Sequence, residues 1–234
     1  MSARRAGGRA RSQRGQGTIE FQIIMAGVLL PLLMAVLQIG LLVMAKNTLN
    51  VATLGAARAG AASGGLRAAM NDALALGLAP LHVAGAKQVT GVGMADISAG
   101  SYGPVMAAAF AASKVTNIAF SRITVLNPTG ASFDDFGVMK GADKIIPVTN
   151  VYDNAQVGAS SGQTRADALL LKIEVRYCQE LVVPIIDKLI LKVFNDPLSG
   201  ASVDDRACYL LNRVPLISQA VVRMTVPPVQ GQLK

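Results

Sequence analysis

The sequence has few of the residues on which catalytic and metal sites usually depend. Its 234 residues include one His, two Cys and no Trp. A single His excludes sites built from paired His ligands, and two Cys exclude a disulfide-rich scaffold or a four-Cys zinc site. No phosphate-binding glycine loop, serine-hydrolase elbow or HExxH motif is present. We therefore expect a protein that is not an enzyme and that uses no cofactor.

Two pairs of acidic residues are adjacent in the sequence, Asp134–Asp135 and Asp204–Asp205, and they are the best available cation ligands. Calcium sites need six to eight oxygen ligands, so one isolated pair is a weak candidate. Such pairs are more typical of solvated loops and helix caps. We therefore expect no metal site.

Charged residues are scarce and unevenly distributed. Only 15% of the chain is charged whereas 52% is hydrophobic, which argues against disorder and suggests membrane association. Five of the eight net positive charges come from arginines within residues 1–15, so the rest of the chain is nearly balanced. Nucleic-acid binding would need a basic stripe interleaved with aromatics, and only 4% of the residues are aromatic. We expect no nucleic-acid partner.

One uncharged segment, residues 21–45, is long enough to cross a bilayer. A hydrocarbon core of about 30 Å needs about 20 apolar residues in a helix. Basic residues precede the segment, which predicts a cytoplasmic N-terminus and a C-terminal part across the membrane. No second segment qualifies, so the sequence predicts a single-pass protein.

Three interpretations of this N-terminus remain open from the residues alone. An uncleaved signal anchor would hold a periplasmic binding module at the membrane. A secretory signal cleaved after Ala45 would release a periplasmic enzyme, although the apolar run is longer than the 7–15 residues of a typical signal peptide. A third interpretation depends on the sequence RGQGTIEF, residues 14–21, which begins the segment.

This sequence resembles the processing site of type IV prepilins in the tight-adherence (Tad/Flp) branch. A basic leader ends at Gly15, and cleavage before Gln16 makes Glu20 the fifth mature residue, followed by the aromatic Phe21. The Leu-rich run and the AARAGA sequence at residues 56–61 are similar to TadE-like minor pseudopilins. The resemblance is specific over residues 14–61 and thinner beyond them.

The resemblance implies a structural role in the bacterial inner membrane, with the head in the periplasm or in an extracellular pilus. Its implied partners are a prepilin peptidase, other minor pilins, the assembly platform and membrane lipid, in a homo- or hetero-oligomer. Glu20 is implied to neutralise the N-terminal amino group of an adjacent subunit. A carboxylate at the entrance of an apolar span is costly without a partner. The simpler alternative is that Glu20 lies among headgroups at a helix start, which favours acids.

Two features within the N-terminal helix concern its packing. Pro31 should kink or loosen the helix. Ala52, Ala56 and Gly60 are spaced four apart and form a row of small residues that permits close helix approach. We expect the helix to end at residues 63–65, which gives a leader (1–15), a transmembrane and assembly helix (16–62) and a head (63–234).

The head is predicted to be α+β and pilin-like, with short helices and a small antiparallel sheet. Helices are expected at residues 66–80, ended by Gly77 and Pro80, at residues 105–117, and at residues 182–193, which have an amphipathic pattern. Strands are expected at residues 121–126, 170–177 and 216–226. Residues 127–166 should be mostly loop.

Each of the two cysteines lies beside a predicted strand. Cys178 ends one strand and Cys208 precedes another. In an oxidising periplasm we expect them to pair and to close a loop of about 30 residues. The alternative is two buried thiols, because sequence alone gives no distance between them.

Overall fold

The computed structural model describes residues 16–83, 99–149, 156–183, 188 and 202–233. Its first feature is a long helix in three parts: α1 (Gln16–Ile24), a π-helical turn (Met25–Leu29) and α2 (Leu30–Ala62). The helical stretch Gly17–Ala62 contains an 18-residue segment with a mean hydropathy of 2.5, which is apolar enough to cross a membrane. The long N-terminal helix predicted from the sequence is confirmed.

The wide turn lies immediately before Pro31. Proline lacks an N–H group, and its ring crowds the carbonyl four residues earlier. In the structure the Leu30 N–H bonds to the Met25 carbonyl, five residues back, so the helix widens by one residue. Pro31 therefore loosens the helix locally, as expected.

Two glycines turn the chain at the end of α2. The Ser63 N–H still bonds to the carbonyls of Ala59 and Gly60, at 3.1 and 3.2 Å. Gly64 and Gly65 then adopt φ values of +71° and +93°, which glycine adopts without the steric cost that most side chains impose. The helix ends where the sequence predicted.

The next helix, α3 (Arg67–Leu78), folds back along α2 and is followed by a 3-10 turn (Ala79–His82). The helix ends at Leu78, between Gly77 and Pro80, where the sequence predicted its end, and Gly77 also has a packing role. A Cβ atom on Gly77 would lie 2.6 Å from the Ala52 Cα atom, so the glycine is needed for close packing.

Helix α4 (Ala99–Phe120) is longer than the predicted residues 105–117. Pro104 lies inside it, near its start, where a proline removes one backbone hydrogen bond without ending the helix. The helix packs against α3 and the 3-10 turn, with Val105 and Ala109 buried against Ala79. Its last residue leads directly into the first strand, β1 (Ser121–Asn127).

The region after β1 contains more structure than the predicted loop. It holds α5 (Gly130–Phe136), the hairpin of β2 (Val138–Lys140) and β3 (Asp143–Ile145), and α6 (Arg165–Ala168). Both short helices start with a capping box, formed by Thr129 with Ser132 and by Thr164 with Asp167. Each box satisfies amide groups that would otherwise be unbonded at a helix start.

The main sheet has the order β1–β4–β5, all antiparallel, with β4 (Leu170–Glu180) in the centre and β5 (Arg213–Arg223) at one edge. Leu171, Ile173, Val175 and Tyr177 alternate along the buried face of β4, as the sequence predicted. This face packs against α2, and one core joins helix and head. The predicted α+β class is confirmed.

Two further short elements of the head lie among the described residues. Helix α7 (Val203–Leu210) precedes β5, and a 3-10 turn (Gln230–Gln232) follows it. The amphipathic helix predicted at residues 182–193 falls almost entirely outside the described residues.

Candidate functional site

The N-terminal helix has a stretch, residues 17–37, that the rest of the described chain leaves uncovered. Its side chains are exposed except for three intermediate ones, and Ile23 and Leu37 are each 65% exposed. At 1.5 Å per residue this bare segment is about 30 Å long, the thickness of a bilayer core. The bare segment therefore has the length and surface of a membrane span.

Gln38 marks the point where the head begins to cover the helix. Its side chain is 1% exposed, and its Oε1 atom accepts a 2.8 Å hydrogen bond from the Val183 backbone N–H. One turn further, Leu42 packs against Leu181 and Tyr209. The uncovered part of the helix is thus residues 17–37 rather than the whole uncharged run of residues 21–45.

In the sequence, Gln38 is one of the few polar residues of the uncharged segment 21–45. A buried amide almost always has a hydrogen-bond partner, and an amide inside an apolar helix therefore points to a contact. That reasoning could have predicted that the head contacts the helix at Gln38, but not that Val183 is the partner.

Ala52, Ala56 and Gly60 are buried against the head of the same chain. A Cβ atom on Gly60 would lie 2.7 Å from the Met70 Sδ atom and 2.9 Å from the Leu171 Cδ2 atom. The close approach predicted for this row is present, but its partners are α3 and β4. Any packing between subunits therefore has to use another side of the helix.

The opposite side of α2 remains exposed beyond Gln38 and is largely apolar, with Asn47 as its polar member. We call its residues Leu41, Met44, Val51 and Leu54 the outer face. Met44 is 65% and Val51 is 71% exposed. The spacing of three and seven residues places them along one side of the helix. A largely apolar strip of this kind, continuous with a membrane span and interrupted by Asn47, is typical of a surface that a partner covers.

The predicted processing and assembly residues lie at the start of the helix. Gly15 is outside the described residues, and α1 begins at Gln16. Glu20 and Phe21 are exposed. Within the described part of the chain Glu20 has no ion-pair partner, and the next ionisable residue along the helix is Lys46. The roles of these residues stay predictions.

The predicted disulfide joins Cys178, near the end of β4, to Cys208 in α7, with a Cα–Cα distance of 5.4 Å. Tyr209, next to Cys208, packs in the same small cluster that contacts Leu42. The disulfide therefore fixes α7 to the sheet close to the point where the head meets the helix.

The first acidic pair is used for structure. Asp134 forms a 2.7 Å ion pair with Lys144. Asp135 accepts hydrogen bonds from the Ser161 hydroxyl, at 2.6 Å, and from the backbone N–H groups of Ser160 and Ser161. These bonds, first that of the Ser161 hydroxyl, lower the pKa of Asp135 to about 2.

In the second acidic pair, Asp205 accepts hydrogen bonds from the Ser202 hydroxyl and backbone at the start of α7 and lies 3.4 Å from Arg176. The side chain of Asp204 is outside the described part. Across the described ranges no three His, Cys, Asp or Glu residues form a group that could hold a metal ion.

His82 lies against the sheet, with its Nε2 atom 3.4 Å from the Tyr177 hydroxyl. Burial, and secondarily Arg213, lowers the pKa of His82, while burial raises the pKa of Tyr177. Both side chains are therefore neutral at physiological pH and act as a packed polar contact.

The N-terminal helix is bare and apolar in its first half and packs against an α+β head in its second half. One helix of this kind can hold a protein in a membrane. The family model described as TadE-like protein matches residues 15–58, which include the bare segment and the outer face. The resemblance found in the sequence is thereby confirmed over these residues, and it associates the chain with the Tad pilus. No curated protein and no solved structure matches the chain.

Proposed function

We propose that this protein is a minor pseudopilin of a Tad/Flp-type pilus, which has a structural and not a catalytic role. A prepilin peptidase cleaves it between Gly15 and Gln16, and the mature subunit primes or supports pilus assembly. Until the subunit enters the pilus, the bare segment holds it in the inner membrane, with the head in the periplasm. The observation that carries the proposal is the outer face, which continues the apolar surface of the bare segment past Gln38.

From Phe21 to Leu37, where lipid would surround it, the helix is apolar on all sides apart from Gln22. Where the head covers the helix, only one side is exposed, and that side is largely apolar. A partner helix can therefore contact the bare segment and the outer face together, without displacing the head. Complete burial of one Met or Val side chain stabilises an association by about 1.5–3 kcal/mol. The outer face thus supports helix-to-helix assembly.

Glu20 supports the same proposal through its position. Its carboxylate stands at the beginning of the bare segment, and burial of that segment among other helices requires a partner for the charge. Cleavage before Gln16 creates an amino group four residues away, and the same group on a neighbouring subunit can neutralise Glu20. This contact would set the axial register of adjacent subunits.

The contacts of α2 weigh against export by cleavage after Ala45. Such cleavage would remove Gln38 and Leu42, which bond to Val183 and pack against Leu181. The other alternative, an uncleaved anchor carrying a binding module, keeps these contacts and differs only in what happens at Gly15.

The deciding experiment is the intact mass of the protein purified from native membranes. A mature chain that begins at Gln16 is expected. A chain that begins at Met1 would contradict the proposal in favour of an uncleaved anchor. A chain that begins at Lys46 would indicate an exported soluble protein.

Glu20→Ala separates processing from assembly. We expect normal cleavage and membrane insertion but loss of piliation, measured by electron microscopy of surface pili. The matched control is Gln22→Ala, which shortens a neighbouring polar side chain without removing a charge and should leave piliation normal. Unchanged piliation in Glu20→Ala would exclude Glu20 from the mechanism.

A further inference from the structure

The end of the head nearest the bare segment carries exposed apolar side chains. Leu210 is 77% exposed, and Val182 and Leu211 are each more than half exposed. Leu181 and Tyr209, which precede Val182 and Leu210 in the sequence, are buried. We call Val182, Leu210 and Leu211 the lower patch. Neither the outer face nor the proposed processing site includes these residues.

Residues next to the lower patch contact the helix directly beyond the bare segment. The Val183 N–H bonds to Gln38, the first residue after the bare segment. Leu181 and Tyr209 pack against Leu42, which lies four residues, or about 6 Å, further along the helix. The lower patch adjoins these three head residues in the sequence, so it lies at about the same level along the helix.

The direction of α7 turns the lower patch towards the bare segment. Helix α7 begins beside Arg176 of β4, which lies 3.4 Å from Asp205, and Cys208 then reaches Cys178, two residues further along β4. The helix therefore runs alongside β4 in the direction that leads to the Gln38 contact. Leu210 is its last residue, and β5 then leads back along the sheet.

The turn that carries Leu210 and Leu211 has a defined structure. The disulfide fixes Cys208 to β4, the Leu211 N–H bonds to the Cys208 carbonyl at 3.0 Å, and the Asn212 N–H bonds to the Tyr209 carbonyl at 3.1 Å. Asn212 adopts a φ of +57°, a conformation in which asparagine is enriched. The fold itself therefore exposes both leucines.

The headgroup layer of a bilayer spanned by the bare segment reaches this level. The bare segment matches a hydrocarbon core of about 30 Å and ends at Leu37. Headgroups increase the total thickness to about 40–45 Å, which leaves about 5–7 Å on each side. The contacts at Gln38 and Leu42 lie within this layer. Exposed apolar side chains at such a depth are stabilised when they leave water for the boundary between headgroups and acyl chains.

We propose that the lower patch inserts into the headgroup layer of the membrane, on the side where the head lies. The subunit then contacts the bilayer through both the bare segment and the head, which restrains rotation of the helix about its own axis. Because the head covers the side of α2 opposite the outer face, the outer face stays available to a partner helix. The inference rests on the membrane anchoring in the proposed function, and the test below separates the two.

The test exploits the absence of Trp from the chain. Leu210→Trp places a single fluorophore in the lower patch of the full chain, which is reconstituted into phosphatidylcholine vesicles. The lipids carry bromine on the acyl chains close to the headgroup, or no bromine. Bromine quenches indole at short range, so we expect it to remove at least half of the fluorescence. Leu211→Trp is a second reporter and should give the same result even if the first variant fails to fold.

Leu76→Trp is the matched control. Leu76 is also exposed, but it precedes Gly77, which packs against Ala52, about 21 Å along the helix from Gln38. Bromine should remove less than a tenth of its fluorescence, which excludes a general attraction of the introduced Trp to the interface. Val28→Trp lies in the bare segment and should be quenched at least by half when that segment crosses the bilayer.

The proposal is overturned if Leu210→Trp and Leu211→Trp are quenched no more than Leu76→Trp while Val28→Trp is quenched, and membrane anchoring would then stand. Unquenched Val28→Trp would overturn membrane anchoring and, with it, this inference. Blue-shifted emission from Leu210→Trp without bromine quenching would also overturn the inference, in favour of a second copy of the chain covering the lower patch.

Discussion

Replacing Gly77 with Ala tests whether the head is clamped to the helix as tightly as the structure indicates. An added Cβ atom would lie 2.6 Å from both the Cα and the Cβ atoms of Ala52. Ordinary carbon contacts are 3.5–4.0 Å, so α3 has to withdraw from α2 by about 1 Å. The Cα atom belongs to the backbone and cannot rotate away, unlike a flexible side chain.

The expected cost follows from two opposing effects. Overpacking of a close-packed core typically costs about 1–3 kcal/mol, and a helix-to-helix separation of 1 Å belongs at the upper end. Alanine regains about 1 kcal/mol of helix propensity relative to glycine. We therefore expect Gly77→Ala to lower the free energy of unfolding of the head by about 2 kcal/mol.

Urea unfolding of the full chain in detergent micelles, followed by far-UV circular dichroism, measures this change. Gly55→Ala is the matched control, because a Cβ atom there meets nothing within 4 Å and should leave stability equal or raise it by up to about 1 kcal/mol. The reasoning is refuted if Gly77→Ala is as stable as the wild type or shifts in the same direction as Gly55→Ala.

Two further predictions concern the head. Loss of the disulfide between Cys178 and Cys208, separated by 30 residues, should lower the free energy of unfolding by roughly 3–4 kcal/mol. Urea unfolding should give the same loss for the reduced protein and for the variant in which Ala replaces both cysteines. A loss below about 1 kcal/mol would contradict the chain-entropy estimate. Asp135 has a pKa lowered from 3.8 to about 2, so its stabilising effect is complete above about pH 4 and is lost as the pH falls through 2. Asp135→Asn should therefore melt at a lower temperature near neutral pH and lose less stability than the wild type between pH 4 and pH 2; parallel melting curves would contradict this.

Strong local patterns made much of the fold predictable. The alternation of Leu171, Ile173 and Val175 identified β4, because a half-buried strand needs an apolar residue at every second position. The SGG sequence at residues 63–65 identified the end of α2, because glycine permits positive φ there. The disulfide was expected because the chain has only two cysteines, and an oxidising compartment favours their pairing.

Features that depend on tertiary contacts were not predictable in the same way. Gly77 has the appearance of a helix stop, and only its proximity to Ala52 makes it a packing residue. The row containing Ala56 correctly indicated close helix approach, but sequence spacing does not distinguish the chain's own head from a neighbouring subunit. The lower patch combines residues from two separate parts of the chain, and no local pattern marks it.

Because Gln38 accepts a hydrogen bond from the Val183 backbone, the head contacts the helix where the bare segment ends. The described chain therefore has no flexible linker between the bare segment and the head. Helix α2 is 33 residues long, or about 50 Å, and runs from inside the bare segment to the end of the part that the head covers. Membrane helices tilt by about 20° on average, which would move the upper end of such a lever sideways by about 17 Å. Bilayer thickness, by setting the tilt of the helix, would therefore also set the position of the head above the membrane.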